Sequence, residues 1–286
     1  MFKNYYYVHT GHRIGLDRFR RASAIVKALD NIEITVLTSD FRIGCEAKEY
    51  GITKAVGVDV VRNIPQIAEY GDAIIFDSNE FNEPLLNDMC DFFSPFIRIS
   101  ENKDDKALKN ELLLNAFEQK SAILDPIYFE QKEKTIKRAF FFGDDDYEKD
   151  LQKNSALFNG LEFDLLDGFY YFMGYANEMS DTFGKIYDNE DYDEVITQSE
   201  VLVTCSPQAV LQNLASGGKP VYIQREDYES EYLDLFSDLN IPILKEFDKE
   251  QLILTLSNID RNVYQKVNNR LNDVVNILNK AIVKQK

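Results

Sequence analysis

The chain has only two histidines, His9 and His12, and both fall in one short loop that also holds Gly11 and Gly15. Imidazole titrates nearest neutral pH, so a pair of them at one place offers proton transfer. The glycines allow a tight turn and a close approach of backbone to a ligand. The same histidines could equally be structural, and both readings stand. The glycine spacing is not G-x-G-x-x-G, so the loop carries no dinucleotide fingerprint. It runs into Arg13, Arg18, Arg20 and Arg21, a dense basic island in a chain of net charge −17. Asp17 is a plausible N-cap for the helix that follows.

Two further groups could do chemistry. Gly143-Asp144-Asp145-Asp146 follows the apolar run AFFF at 139–142. Three acids there could help hold magnesium on a phosphate, or could be the ordinary acidic first turn of a helix. Thr204-Cys205-Ser206-Pro207-Gln208 follows VLVT at 201–204. Ser206 is a good N-cap and Pro207 a good first helical residue, so free N–H groups there could receive a phosphate. Gln212 lies further along that helix, near the reach of a ribose. The alternative is a plain capped helix.

The elements that must position these groups alternate. Residues 4–9 read as a strand, 17–29 as a helix and 33–38 as a strand, which makes a βαβ unit. Helix 43–50, strand 56–61, helix 63–70, strand 73–77, helix 83–91, strand 96–99 and helix 105–118 continue the order. After a charged stretch at 130–138 the pattern restarts with strand 139–142, helix 144–158 and strand 161–166. Helix 191–199, strand 201–204, helix 207–216, strand 221–223, helix 226–238 and strand 241–244 follow. The apolar stripe Val263, Val267, Leu271, Val274, Leu278 and Ile282 predicts a long C-terminal helix over 261–284. The fold class is therefore α/β. Two Rossmann-like domains are expected, residues 1–125 and 126–286, with the functional cleft between them at the carboxyl ends of the strands.

Composition narrows the function. At 286 residues and 44% hydrophobic content, the chain can build two cores. Forty-nine acids against 32 bases repel a phosphate backbone, so nucleic acid is not an expected partner. No stretch reaches the roughly 20 apolar residues of a membrane span, and the first residues are too polar for a signal peptide, so a cytoplasmic location is expected. Cys45, Cys90 and Cys205 are scattered, which argues against disulfides and a thiolate zinc site and predicts buried free thiols.

Several of these segments together resemble a known family. Ile14-Gly15-Leu16-Asp17-Arg18-Phe19-Arg20-Arg21 resembles the I-G-x-G-H-x-x-R stretch of the UDP-sugar hydrolases of the pseudaminic acid pathway. Those enzymes release UDP from a diacetamido-trideoxy sugar nucleotide. They share the two-domain GT-B fold with the glycosyltransferase that makes lipid II. Asp77-Ser78-Asn79 falls at the family's Asp-His-Tyr-like strand exit. The stretch 113–142 resembles its crossover into the second domain, Gly143 to Asp146 its G-G-[ST]-D turn, and 201–223 its diphosphate-binding strand, helix and strand. The chain departs from the family at three places. Arg18 stands at the catalytic histidine, Asp144 at the second glycine of the turn, and Gln212 at the ribose-binding acid.

The resemblance implies a sugar-nucleotide protein, a UDP-sugar hydrolase or glycosyltransferase of bacterial surface-glycan (nonulosonic acid) synthesis. It implies a UDP-sugar ligand, no metal or other cofactor, and enzymes of glycan biosynthesis as possible partners. His12, Arg18 and Asp77 are the catalytic candidates. Gly15, Gly143, Thr204, Ser206, Pro207, Gln208 and Gln212 are the nucleotide-binding candidates, with Arg21 and Asn79 at the sugar. The three departures also fit a non-catalytic descendant that binds a nucleotide sugar or supports a partner enzyme.

Overall fold

The computed structural model describes residues 2–11, 13–171, 176–228 and 230–283. The first half contains strands β1 (Asn4–Val8), β2 (Ile34–Thr38), β3 (Ala55–Gly57), β4 (Ala73–Asp77), β5 (Phe96–Ser100) and β6 (Glu111–Asn115). Helices α1 (Asp17–Ala28), α2 (Phe41–Glu46), α3 (Ile64–Ile67) and α4 (Glu83–Phe92) connect them. Strands β7 (Phe117–Glu118) and β8 (Ser121–Ala122) form a small hairpin before the second half. There β9 (Ile136–Phe141), β10 (Asp164–Leu166), β11 (Ile186–Tyr187), β12 (Ser199–Thr204), β13 (Lys219–Ile223) and β14 (Ile243–Leu244) make the sheet. Its helices are α5 (Asp150–Asn154), α6 (Tyr192–Gln198), α7 (Pro207–Ala215), α8 (Leu233–Asp238) and α9 (Lys249–Ser257). Strand β15 (Asn268–Asn269) pairs with β8, and α10 (Leu271–Val283) ends the fold.

The two six-stranded sheets have one topology. Their orders are β3-β2-β1-β4-β5-β6 and β11-β10-β9-β12-β13-β14, and every pairing within them is parallel. Parallel strands are covered on both faces and so read as continuous apolar runs. Ala73–Asp77 and Phe96–Ser100 are buried at every position. Strand order reverses between β1 and β4 in one sheet and between β9 and β12 in the other. A ligand crevice opens at such reversals, beyond the carboxyl ends of the strands. The exits of β1, β4, β9 and β12 carry the segments after His9, after Asp77, after Phe141 and after Thr204. Topology therefore gathers the three groups singled out in the sequence.

Several elements differ from expectation. Residues 111–115 form strand β6 rather than part of a helix over 105–118. A short apolar run has no period long enough to separate the two states. Here Glu111 accepts from the buried Arg98 of β5 at 2.5 Å, and the strand closes the sheet edge. The expected helix over 144–158 is α5 plus one 3-10 turn at Ser155–Phe158, because residues 143–149 are spent as a loop. The final helix begins at Leu271 rather than 261, and residue 284 lies outside the described residues. Cys90 and Cys205 are buried as expected, whereas Cys45 is exposed on α2, where Ile43 is the inward residue.

The last helix returns to the first half. Leu271, Val274, Leu278 and Ile282 join one core with Phe19, Ala22 and Ile25 of α1 and with β1 and β2. Helix α10 thus packs on α1 although it is farthest from it in sequence, and it ties the chain's end to the helix that borders the cleft. No helix among the described residues is long and apolar enough to cross a membrane.

Candidate functional site

Helix α1 starts directly at the cleft, and its first two turns present Asp17, Arg18, Arg20 and Arg21. Gly15 makes the entry possible. Its φ is +76°, and a Cβ there would lie 3.3 Å from an Asp145 carboxylate oxygen of the other half. Thr10 fixes this turn by donating its hydroxyl to the Gly15 carbonyl at 2.7 Å. Leu16, not Asp17, holds the N-cap position, and no side chain caps α1. The Asp17 carboxylate lies 3.8 Å from Arg20 of its own helix but makes its hydrogen bonds with the second half.

Each of the three inward arginines has a carboxylate partner. Arg21 donates to both oxygens of Asp77, at 3.0 and 2.5 Å, and its third nitrogen donates to Glu101 at 3.0 Å and to the Tyr232 hydroxyl at 2.9 Å. Asp77 also accepts from the Tyr6 hydroxyl at 2.9 Å and is fully buried. Arg18 pairs with Glu101. Burial pushes the Glu101 carboxyl upward, but Arg18 and Arg21 outweigh it and hold the pKa at about 2. Arg20 crosses to the second half and grips Asp144 with two bonds, at 2.5 and 2.8 Å, while its guanidinium lies 3.5 Å from the centre of the Tyr192 ring.

The acidic turn after β9 splits three ways. Asp144 takes Arg20 and also accepts from the Leu16 N–H at 3.2 Å. Asp145 accepts from Arg225 at 3.1 Å. Asp146, in the loop before α5, accepts from the Asp150 and Leu151 N–H groups at 2.6 and 3.1 Å, so its negative charge faces the N-terminus of that helix. Among the described residues no cluster of three or more potential ligands is arranged for a metal ion. Gly168, beyond β10, lets the neighbouring loop close on this turn, since a Cβ there would fall 2.3 Å from the Gly143 carbonyl oxygen.

Helix α7 starts as its sequence predicts. The Ser206 hydroxyl accepts from the Ala209 N–H at 3.1 Å, Pro207 follows, and Thr204 accepts from the Ser206 N–H at 3.0 Å. One hydroxyl and one backbone N–H at its start are engaged from the other half. Ser206 donates to one Asp17 oxygen at 2.7 Å and the Gln208 N–H donates to the other at 3.1 Å. Burial pushes the Asp17 pKa up, while Arg20 and Ser206 pull it down.

These contacts divide the cleft. On one side lies a cavity of about 610 Å³ whose walls include Arg20, Tyr50, Tyr128, Tyr192, Asp193 and Gln212. That volume lies in the range of small-molecule sites. Five carboxylates surround it against two cations, Arg20 and Lys27. The Gln212 carbonyl accepts from the Tyr192 hydroxyl at 2.6 Å, and among the described residues its amide nitrogen has no hydrogen-bond partner. On the other side a polar space of about 200 Å³ is lined by Arg18, Ser78, Asn79, Glu101, Asn102 and Tyr228. Between them, where Gly15, Gly143, Asp144, Ser206 and Pro207 meet, only about 50 Å³ is free.

His12 lies outside the described residues. His9 is held by Asn79, with Nδ1 2.8 Å from the amide oxygen, and burial lowers its pKa. The structure brings together Gly15, Arg18, Gly143, Ser206 and Pro207, with Asn79 beside Arg18 and Gln212 behind Arg20. It turns Asp77 and Arg21 toward each other in the interior. Asp17, Arg20, Glu101, Tyr192 and Tyr232 were not singled out as site residues. Their sequence signal was only the arginine cluster, which called for acids somewhere without saying where.

No family model and no curated protein matches the sequence. Solved structures match over nearly the whole chain. UDP-GlcNAc 2-epimerase from Neisseria meningitidis, bound to UDP-GlcNAc, aligns with 99% of this chain and 100% of its own at 7% identity and a TM-score of 0.60. The UDP-GlcNAc 2-epimerase of Methanocaldococcus jannaschii, in complex with UDP-GlcNAc and UDP, covers 98% and 100% at 9% identity and a TM-score of 0.59. The glycosyltransferase SnogD from Streptomyces nogalater covers 98% and 100% at 10% identity and a TM-score of 0.55. At such identities the likeness is one of fold. The two-domain GT-B-like architecture is the one these neighbours share.

Proposed function

We propose that this chain processes a sugar nucleotide, with a UDP-sugar held across the cleft and UDP released to water or to an alcohol acceptor. The observation that carries this reading is the division of the space around α1 and α7. A nucleoside-sized cavity meets α1 at Arg20 and α7 at Gln212, a sugar-sized polar space lies beside Arg18, and the narrow gap that Arg18 shares with that space holds the N-terminus of α7 at Ser206 and Pro207. In this arrangement the free amide of Gln212 donates to a ribose hydroxyl, and the tyrosines of the large cavity flank the base. The acidic wall suits a neutral nucleoside and disfavours phosphate, so the diphosphate belongs beyond Arg20, at Ser206 and Gln208. Its leaving charge is met there by the helix terminus, with Arg18 beside it. Thr204, Gly15 and Gly143 shape the backbone around it.

Arg18 and Asn79 line the sugar space, and Asp77 and Arg21 stand behind it as the pair that fixes the floor. His12, on the loop between β1 and α1, is the base we assign to the attacking oxygen. The chemistry calls for no metal in this reading. A hydrolase or transferase of nonulosonic acid or other surface-glycan synthesis, acting in the cytoplasm beside the other enzymes of such a pathway, is its finer form. The test is release of UDP from UDP-sugars, with and without acceptor alcohols, together with thermal shifts by UDP, CMP and GDP. A ligand at 100 times its Kd adds about 2.7 kcal/mol. A selective shift with UDP and turnover lost in His12→Ala support the reading, and no UDP release from any UDP-sugar counts against it.

One observation favours a second reading, a non-catalytic descendant. Asp17 and Asp144 occupy the ground where the diphosphate would lie. Ligand binding without turnover, unchanged in His12→Ala, is its signature.

A further inference from the structure

Asp17 is the first residue of α1, and apart from an ion pair at 3.8 Å with Arg20 of that helix its oxygens serve the other half. Both accept from the start of α7, one from the Ser206 hydroxyl at 2.7 Å and one from the Gln208 N–H at 3.1 Å. Hydrogen bonds to a carboxylate are among the strong ones, and a helix N-terminus favours the negative charge. One turn further on, Arg20 holds Asp144 with two bonds, and Asp144 also takes the Leu16 N–H. The first turns of α1 are thus stapled to the second half through two carboxylates, and the space between them, about 50 Å³, has room for little more than a water.

We propose that Asp17 is a built-in anion that latches the cleft shut, and that a phosphate-bearing ligand must displace it to reach α7. Asp17 and the helix terminus it occupies belong to different halves of the molecule. Asp17 sits on the first turn of α1, so in this proposal a ligand that fills the ground its carboxylate holds also moves α1 away from α7, and the cleft opens with the displacement. The chain is then closed in the absence of ligand, and an anion that competes for Ser206 and Gln208 opens it. The displacing ligand rests on the proposed sugar-nucleotide function, whereas the latch itself stands on the contacts alone.

The test compares the full chain with Asp17→Ala and with Asp17→Asn, which keeps the shape and removes the charge. Amide exchange at Gln208 and Ala209 and small-angle scattering are measured with and without inorganic pyrophosphate. Loss of one charged acceptor is expected to speed exchange at Gln208 by about tenfold and to raise pyrophosphate affinity by a similar factor. Scattering is expected to show a more open particle in Asp17→Ala, and in the unaltered chain when pyrophosphate is added. Should Asp17→Ala not melt cooperatively, Asp17→Asn carries the same comparison. A folded variant with unchanged Gln208 exchange and unchanged scattering overturns the latch. Faster exchange and opening with no pyrophosphate binding by any form upholds the latch and instead removes the nucleotide reading.

Discussion

The two halves share one sheet order, but their switch points carry opposite equipment. The first half brings a run of arginines on α1, and the second brings an acidic turn and the N-terminus of α7. Within the first half, Arg21 is neutralised at home by Asp77 and Glu101. Arg20, one residue earlier, finds its nearest carboxylate across the cleft, at 2.5 Å against 3.8 Å for Asp17 of its own helix. Adjacent residues on one helix therefore do different work. One fixes the floor of a domain, and the other joins two domains. The same backbone plan, used twice, yields a complementary pair because the charge differs and the topology does not.

The comparison is broken most severely at Arg21. Arg21→Met leaves Asp77 and Glu101 buried without their main partner, and breaking a buried pair in this way costs about 3–5 kcal/mol. Urea unfolding followed by circular dichroism measures it, and a loss under 1 kcal/mol would show that the buried network is not what holds the first half. Acid tests the same network without mutation. Glu101 titrates from an ordinary value of 4.5 and is held at about 2 in the folded chain. Its contribution is therefore complete above about pH 4.5 and is lost as pH falls toward 2, roughly 3 kcal/mol in all. Melting temperature measured from pH 6 to 2 should fall across that window, and the fall should shrink in Glu101→Gln.

The interdomain pair is expected to count for less, since domain separation can let water reach it. A double-mutant cycle on Arg20→Met and Asp144→Asn should give a coupling of about 2 kcal/mol. A coupling near zero would mean that the two halves hold together without it. The smallest effect belongs to the cavity wall. Tyr192→Phe removes the hydroxyl that Gln212 accepts, at a cost of about 1 kcal/mol. The same change frees Gln212 to rotate, so any UDP-dependent thermal shift should weaken with it. A shift that is unaltered places the ribose elsewhere.

Much of this was legible in the chain as written. Strand AIIFD and the AFF end of β9 announced themselves because a parallel strand buried on both faces needs an unbroken apolar run, whereas the start of β9 at Ile136 to Arg138 lay hidden in the charged stretch. Ser206-Pro207 marked the start of α7 because capping is chemistry between residues two or three apart. Such signals are local, and they survive without knowledge of the rest. Strand 111–115 was not legible, because a short apolar run is ambiguous until a sheet edge claims it. The candidate site was legible in part. The segments at Gly15, Gly143 and Ser206 meet because strand order reverses where they leave the sheets, a consequence of the βαβ repeat.

What only the tertiary structure decided is the partner of each charge. Asp17 reads in sequence as a cap for its own helix, yet it takes hydrogen bonds from a helix start 189 and 191 residues away, at Ser206 and Gln208. Asp77 reads as a residue that meets a ligand, yet Arg21 and Tyr6 take both of its oxygens inside the domain. The sequence determined the secondary-structure periods, the two-fold plan and the loops that reach the cleft, because those depend on neighbours. Pairing between distant charges depends on how two domains are set face to face, and a carboxylate takes whichever buried donor that geometry delivers.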